Sequence, residues 1–222
     1  FHTDFFIRHK KDGSAVLLVK GYGDPFLVSE ELVVLTESLK TKLDQLGIQQ
    51  LAGIELDTSY YQPGLIMPGT SRSNNPYDAI PSAIAANFNT INAIQKGGLI
   101  ISAEEQTPMV QVGEKIVQNS SIYPKQKANK KFRINLGDDV EMAQRYFAEL
   151  LAAFLKQKNI DVAESVSWTQ TSSTDELIYR HYNSRTLADV IKPMMKYSTN
   201  FIANQLALNL SVEIQGGQAD QE

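Results

Sequence analysis

The sequence predicts a mixed α/β fold, and three observations support this prediction. Residues 15–22 form an apolar run typical of a buried strand, and residues 51–57 form a second such run. Between them leucines recur at helical spacing ahead of Gly47, at Leu32, Leu35, Leu39, Leu43 and Leu46. A strand, a helix and a strand of this length predict a right-handed βαβ unit with parallel strands.

The helix of this unit is predicted to begin at Ser29, because serine is a common helix N-cap. Residues 58–82 are rich in proline and glycine and predict a long loop, which in a compact domain is often functional or packed over a neighbour. Residues 83–94 favour a strand, since apolar residues alternate with Asn and Thr towards their end. Short strands are also predicted around residues 99–101 and 109–112.

The second half is predicted to be mainly helical. Asp138-Asp-Val-Glu141 resembles a capping box with aspartate as the cap. The helix behind it would place one apolar stripe on the core, formed by Val140, Ala143, Phe147, Leu150, Leu151 and Phe154. Residues 160–162 and 176–179 predict short strands, and the last 40 residues predict helices.

Composition excludes several classes of function. The chain has 222 residues, 42% of them hydrophobic, which is enough for a core and too many for a disordered protein. Its net charge of -4 argues against an electrostatic nucleic-acid binder. The lack of cysteine excludes disulfides and thiolate metal sites. The three histidines show no zinc-ligand spacing, and no cofactor is expected. No apolar run approaches the roughly 20 residues of a membrane span. Because the first residue is Phe1 rather than Met, we expect a processed or truncated product.

Three further patterns have simpler structural interpretations. Gly21-Tyr-Gly23 follows a strand, but position 26 is Phe and Pro25 lacks an amide, so a strand-ending turn is favoured over a nucleotide loop. Asp24 and Asp57 could be paired carboxylates, yet each follows a strand at a turn, where Asp caps backbone amides. The basic cluster of residues 125–133 is favoured to be a solvated loop rather than a binding surface.

The strongest functional candidate is Ser198-Thr-Asn200, a polar pair between two apolar helical runs. Residues two apart point to nearly opposite sides of one helix, so Ser198 and Asn200 share a site only if the chain turns there. The alternative interpretation is a helix N-cap. Ser73-Asn-Asn75 is a second match to the same pattern, but it lies in the irregular loop.

Several segments together resemble the D-alanyl-D-alanine carboxypeptidase/endopeptidase family, the class C low-molecular-mass penicillin-binding proteins. Lys196-Tyr-Ser-Thr-Asn-Phe-Ile-Ala-Asn-Gln-Leu206 resembles the second motif of the family. The other similar segments follow the family's order, and they are Phe1-His-Thr-Asp-Phe5, Val19-Lys-Gly-Tyr-Gly-Asp-Pro-Phe-Leu27, Gly53-Ile-Glu-Leu-Asp-Thr-Ser59, Tyr77-Asp-Ala-Ile-Pro-Ser-Ala-Ile-Ala-Ala-Asn-Phe-Asn89 and Ser184-Arg-Thr-Leu-Ala-Asp-Val-Ile-Lys-Pro-Met-Met-Lys196. The resemblance covers nearly the whole chain, although each motif alone is loose.

This resemblance implies that Ser198 and Asn200 are catalytic. The family uses the motifs S-x-x-K, S-x-N and K-T-G, of which only the second is found here. Ser198 would relay a proton to the leaving amine, and Asn200 would hold the peptide carbonyl of the substrate and brace the absent lysine. Thr199 stands where the family often has Asp, at a position without a chemical role.

The resemblance also implies a domain organisation and a fold. Residues 1–180 would be inserted accessory subdomains, one containing the βαβ unit and a β-rich part at roughly 83–135. Residues 181–222 would be part of a split catalytic domain of the β-lactamase/transpeptidase-like type, carrying S-x-N.

The expected function is that of a serine DD-peptidase of the periplasm or cell envelope, with its nucleophile outside this chain. Its expected partners are peptidoglycan stem peptides ending in D-Ala-D-Ala and, for the full-length protein, β-lactams; no nucleic acid and no transmembrane segment are expected. The alternative is a non-catalytic α/β binding module of the cell envelope, in which Ser198 and Asn200 only cap a helix.

Overall fold

The computed structural model describes residues 1–65, 67–68 and 71–215. Its strands are β1 (His2–His9), β2 (Ala15–Gly21), β3 (Gln50–Leu51), β4 (Ile54–Asp57), β5 (Thr90–Lys96), β6 (Leu99–Ser102), β7 (Lys131–Asn135), β8 (Asp161–Val162), β9 (Val166–Trp168) and β10 (Glu176–Tyr182). Its α-helices are α1 (Ser29–Gln45), α2 (Gln111–Asn119), α3 (Val140–Gln157), α4 (Leu187–Tyr197) and α5 (Asn200–Gln215). Short 3₁₀ turns lie at Pro76–Asp78, Asn87–Asn89 and Tyr123–Lys125.

The main sheet has five strands in the order β10-β1-β2-β4-β9. β1 pairs antiparallel with β10 and β2, whereas β2 pairs parallel with β4 and β4 pairs parallel with β9. The predicted unit of two parallel strands joined by a helix is therefore confirmed, as β2-α1-β4. β2 lies in the interior of the sheet, and Leu17, Leu18 and Val19 are fully buried, as expected for a strand covered on both faces.

Two amphipathic helices supply most of the core beside this sheet. The predicted stripe of α1 is buried at Leu32, Leu35, Leu39 and Leu43, whereas Leu46 caps the helix and is 43% exposed. α3 buries Phe147, Leu150, Leu151 and Phe154 in the same cluster. At about 1.5–3 kcal/mol for each large apolar side chain, this cluster is the main source of stability in the described part of the chain.

A separate antiparallel sheet of three strands, in the order β6-β5-β7, lies within the part predicted to be β-rich. The predicted strand at 83–94 is confirmed only in its second half, because β5 begins at Thr90. Asn87, Phe88 and Asn89 instead have φ values of 51°, 60° and 49°, in the left-handed region. Distant contacts hold this turn: Asn87 pairs with Ser29, and the Asn89 side-chain amide donates to the carbonyl of Ile80.

The prediction of a strand around 109–112 is wrong, because α2 begins at Gln111. A contact far along the chain supports this helix start, since the Glu149 carboxylate accepts a hydrogen bond of 2.9 Å from the Val112 amide. Gly113 lies close to the ring of Tyr146, where an added Cβ would be 3.1 Å from a ring carbon. Tertiary contacts therefore decide the local structure of this short segment.

Two predicted helix caps are also corrected. Ser29 is the first helical residue of α1 and not its cap; the position before it is Val28, and the amide of Ser29 donates to the side-chain oxygen of Asn87 at 2.8 Å. The cap of α3 is Asp139 rather than Asp138, because its carboxylate accepts from the Met142 amide at 3.1 Å. A cap can thus come from a distant residue, which local sequence does not reveal.

The Gly21-x-Gly23 turn ends β2 as predicted, and both glycines are required by close packing. A Cβ on Gly21 would lie 2.2 Å from the carbonyl oxygen of Ala83, and one on Gly23 would lie 1.9 Å from the hydroxyl of Tyr61. Gly23 also has a φ of +68°. These glycines let the segment around Ala83 pack directly on the end of the strand.

The two C-terminal helices pack on the rest of the chain through small clusters of their own. Val190, Phe201 and Ile202 are buried together with Ala79 and Ala85. Other large apolar side chains of these helices are exposed, namely Leu187 (54%), Met195 (71%), Leu210 (59%) and Ile214 (74%). The division of the chain into domains near residue 180 stays a prediction; β10, which runs across that position, is paired with β1 in the main sheet.

A buried ion-pair network connects β1 to the segment before β10. The guanidinium of Arg8 binds Asp175 through two hydrogen bonds of 2.7 Å and also binds Glu55 at 2.7 Å. The Asp175 side chain is only 1% exposed. The hydrogen bond from Arg8 lowers the pKa of the Asp175 carboxyl from its usual 3.8 to about 2.

We expect Asp175→Asn to reduce the free energy of unfolding by about 2 kcal/mol near neutral pH, since one pKa unit corresponds to roughly 1.4 kcal/mol. Because the pKa is depressed in the folded state, this contribution is present above the usual pKa and is lost as pH falls from 3.8 to about 2. Urea unfolding of both proteins across this range measures the difference. Asp161→Asn, at an exposed site on β8, is the matched control and should change little; a gap that stays constant down to the lower pH would contradict the assignment.

Candidate functional site

The connection between β10 and α4 is fixed by a polar cluster against the first turn of α1. The Asn183 amide donates to the Asp24 carboxylate at 2.9 Å, and Arg185 donates to Glu31 at 3.0 Å. The Arg185 guanidinium also lies 4.3 Å from the centre of the Phe26 ring, a cation–π contact. These contacts fix the path of the chain between β10, in the main sheet, and the start of α4.

α4 begins with a capping box and ends at Ser198. Thr186 and Asp189 exchange the two side-chain-to-backbone bonds that define such a box. At the other end, Ser198 has φ 51° and ψ 50°, and its amide donates to the Met194 carbonyl. A left-handed residue after the last helical turn is a standard helix termination, but glycine or asparagine usually occupies this position.

The sequence prediction of a turn between two helices at Ser198-Thr-Asn200 is confirmed. α4 stops at Tyr197, Ser198 reverses the chain, and Asn200 is the first residue of α5. Both Ser198 and Asn200 are exposed. The alternative that Ser198 caps the start of a helix is not what the structure shows, because Ser198 is the C-cap of α4.

The Asn200 side chain is tied to a segment that sequence reasoning did not connect with it. Its amide donates to the carbonyl oxygen of Tyr77 at 3.1 Å. The next two residues, Phe201 and Ile202, are buried, and the Phe201 ring meets the Phe88 ring edge-on at 6.2 Å between centres. Buried residues directly after the turn thus attach it to the rest of the chain, while Ser198 and Asn200 stay exposed.

The turn supplies two hydrogen-bonding side chains on a short piece of backbone between α4 and α5. A serine hydroxyl can donate and accept a proton, and an asparagine amide offers both a carbonyl oxygen and an NH₂ group. A non-glycine residue in the left-handed region costs of order 1 kcal/mol or more and is common at functional sites. Other non-glycine residues of the described chain share this conformation, among them Asn159 just after α3, so helix termination is sufficient to explain it at Ser198.

The second match to the motif has a structural role. The Ser73 hydroxyl donates to the carboxylate of Asp78 and accepts from the side chain of Asn75. Ser71 donates to the same carboxylate at 2.5 Å. Burial by itself would raise the pKa of the Asp78 carboxyl, but the hydrogen bonds from Ser71 and then Ser73 outweigh it and lower the pKa. Asp78 therefore connects several residues of this loop.

Asp24 and Asp57 cap backbone amides, as predicted. Asp24 accepts from the Phe26 amide at 2.8 Å, and Asp57 accepts from the amides of Ser59 and Thr171 at 3.0 and 2.8 Å. Burial raises the pKa of the Asp24 carboxyl. Each carboxylate therefore has its own set of donors, and both sets include a residue distant in sequence, Asn183 for Asp24 and Thr171 for Asp57.

His181 is buried beside Glu31, with its Nε2 atom 3.2 Å from a carboxylate oxygen. Burial lowers the pKa of this histidine, although Glu31 acts in the opposite direction. In the described ranges no group of three or more His, Asp or Glu side chains is arranged to hold a metal ion. Nor does any helix of that part of the protein combine the length and apolar character that crossing a bilayer requires.

The arrangement of these elements matches about half of a solved protein structure. The structure is similar to penicillin binding protein 4 from Haemophilus influenzae, with a TM-score of 0.65 and 19% identity over 99% of this chain. A second structure of that protein, in complex with a novel β-lactam, gives a TM-score of 0.60, also at 19% identity over 99% of this chain. The chain spans 54% and 52% of these two structures.

The family follows from the sequence match over the whole chain. The family model of D-Ala-D-Ala carboxypeptidase 3 (S13) matches residues 1–222, and the chain belongs to this family. The search of curated proteins found no match. The family resemblance noted from the motifs is therefore confirmed.

Proposed function

We propose that this chain is part of a serine DD-peptidase that cleaves peptidoglycan stem peptides ending in D-Ala-D-Ala. The observation that carries the proposal is the Ser198-Thr-Asn200 turn, which presents two polar side chains between α4 and α5 in a chain of the S13 family. The reaction would be acyl transfer to a serine followed by hydrolysis of the acyl-enzyme.

In this proposal Ser198 relays a proton to the amine that leaves during acylation. Asn200 holds the peptide carbonyl of the substrate through its NH₂ group and braces the lysine of the first motif. No serine of the sequence is followed three residues later by lysine, and no Lys-Thr-Gly occurs. The nucleophile, its lysine and the third motif would therefore come from sequence beyond these 222 residues.

The proposal also assigns parts of the chain to two domains. Residues 1–180 would be accessory subdomains, and residues 181–222 would belong to the catalytic domain. The exposed apolar side chains of α4 and α5, such as Met195 and Ile214, support this division, since apolar helix faces are normally covered. A peptidoglycan substrate would place the protein in the periplasm or cell envelope.

The purified 222-residue chain should form no covalent adduct with a fluorescent penicillin and should not hydrolyse a D-Ala-D-Ala peptide, because it lacks the nucleophile. A longer form that carries S-x-x-K and K-T-G should be labelled at one equivalent per protein. Gel fluorescence and intact-mass spectrometry measure both outcomes.

A stoichiometric penicillin adduct on the 222-residue chain would contradict the assignment of the nucleophile. A natural protein that has neither motif would instead favour a non-catalytic binding module of the cell envelope, with Ser198 as a plain helix terminator.

A further inference from the structure

A large concave site in the described part of the chain lies at one edge of the main sheet, and neither Ser198 nor Asn200 is among its described lining residues. β4 and β9 run parallel and are in register at Leu56 and Trp168, so their carboxyl ends open at the same edge. In open α/β sheets this edge is the usual place for ligands. The cavity there has a volume of about 570 Å³ and also involves the loop 58–65, the segment 81–83 and the start of α3. This volume lies in the usual range of ligand pockets, about 300–1,000 Å³.

The wall of this cavity holds an aromatic side chain in a fixed position. Trp168 is 38% exposed, and its indole N–H donates to the side-chain oxygen of Gln144 at 2.6 Å. Gln144 is 5% exposed and donates in turn to the buried hydroxyl of Ser82 at 3.0 Å. The polar end of the tryptophan is therefore satisfied within the protein, and its apolar ring remains available for a flat apolar surface.

The rest of the lining is polar but nearly uncharged. Amide side chains and hydroxyls are interspersed with small apolar surfaces: Thr58, Ser59, Gln62, Thr169 and Gln170 on one hand, and Leu56, Leu65, Pro81, Ala83 and Val140 on the other. Among the described residues that line the cavity, Glu141 is the only charged one. The carboxylate of Asp139 already caps the nearby start of α3, so a second anion there would meet a like charge.

We propose that this cavity binds a neutral oligosaccharide that carries acetamido groups. The apolar face of a pyranose ring would stack on Trp168, its hydroxyls would pair with Gln62 and Gln170, and the acetamido methyl would contact Leu65 or Val140. The absence of Lys and Arg from the described lining disfavours an acidic peptide or a phosphate. The preference for acetamido sugars over plain sugars rests on the proposed function, because peptidoglycan glycan strands consist of N-acetylated sugars.

Trp168 also provides the measurement, since it is the only tryptophan of the chain. Titration of the 222-residue chain with N,N′,N″-triacetylchitotriose should give a saturable change in its fluorescence. Cellotriose, which lacks acetamido groups, should bind at least about tenfold more weakly, and an acidic stem peptide should cause no saturable change. This binding needs no acylation, so its failure is distinguishable from failure of the proposed peptidase activity.

Variants make the location of the site testable by calorimetry. Trp168→Ala should weaken binding by at least about tenfold, Trp168→Phe should retain most of it, and Gln170→Ala should weaken it several-fold. Gln118→Ala is the matched control, because Gln118 is an exposed glutamine on α2 that pairs with Glu114 away from the cavity. This variant should bind the trisaccharide as tightly as the wild type does.

Circular dichroism would confirm that each variant is folded. A folded wild-type chain that shows no saturation at millimolar trisaccharide would overturn the proposal, as would equal affinity in folded Trp168→Ala or stronger binding of the acidic peptide. If Trp168→Ala does not fold, the comparison of Gln170→Ala with Gln118→Ala decides the question in the same way.

Discussion

Ser198→Ala, introduced into a full-length form of this protein, should lower the rate of acylation by a fluorescent penicillin by about 10²- to 10⁴-fold, the usual size of a general acid–base contribution. The physical reason is the loss of the hydroxyl that would carry the proton to the leaving amine. Stopped-flow or gel-based acylation kinetics measure the effect. Stability should fall by no more than about 1 kcal/mol, because the exposed side chain makes little packing contact.

Two further variants separate chemistry from folding. Ser198→Gly removes the same hydroxyl, but glycine relieves the left-handed backbone at φ 51°, so this variant should be as stable as the wild type and equally slow in acylation. Ser73→Ala removes the hydroxyl of the other Ser-x-Asn match, which binds Asp78, and should cost about 1 kcal/mol of stability with an unchanged acylation rate. Equal rates for Ser73→Ala and Ser198→Ala would show that the motif assignment is wrong.

Amide hydrogens of α4 and α5 should exchange at least about 10²-fold faster than those of residues 14–57 and 138–158 in a monomeric sample of the 222-residue chain. The slow regions hold the fully buried side chains of Leu17, Leu35 and Phe147. The helices after residue 181 bury few residues and expose Leu187 and Met195, so local opening costs them less free energy.

Hydrogen exchange followed by mass spectrometry tests this prediction, and limited proteolysis should cut first in the same region. Protection of α4 and α5 equal to that of the core would count against the proposal that residues 181–222 belong to a larger catalytic domain. The outcome is independent of the Ser198 variants, because it depends on packing and not on a reaction.

Hydrophobic periodicity predicted the part of the fold that forms the main core. The leucine stripe from Leu32 to Leu43 and the run from Ala15 to Gly21 became α1 and β2, because both patterns are long and regular enough for burial to follow from them. The stripe that ends at Phe154 predicted α3 in the same way, with an error of one residue in its cap.

Short segments were predicted less well. Residues 109–112 contain only a few apolar side chains, which suit a strand and a helix equally, and the contact from Glu149 selects the helix. Asn87 and Asn89 are of a residue type that tolerates the left-handed region, but Phe88 is not, and a run of three such residues is unfavourable by itself. Contacts with Ser29 and Ile80 hold the run in place.

For function, residue identities in a fixed order were enough to identify the family and to place the Ser198-x-Asn200 pair, because neither depends on contacts between distant parts of the chain. The folded chain was needed to show that Ser198 terminates α4 in a left-handed conformation, that Asn200 is bound to Tyr77, and that Trp168 and Gln144 line one cavity with the loop after β4. The contact of Asn200 with Tyr77 and the cavity beside Trp168 join residues that lie tens of positions apart or more. Their stabilities come from hydrogen bonds and packing that exist only once the chain is folded, so no local pattern of residues encodes them.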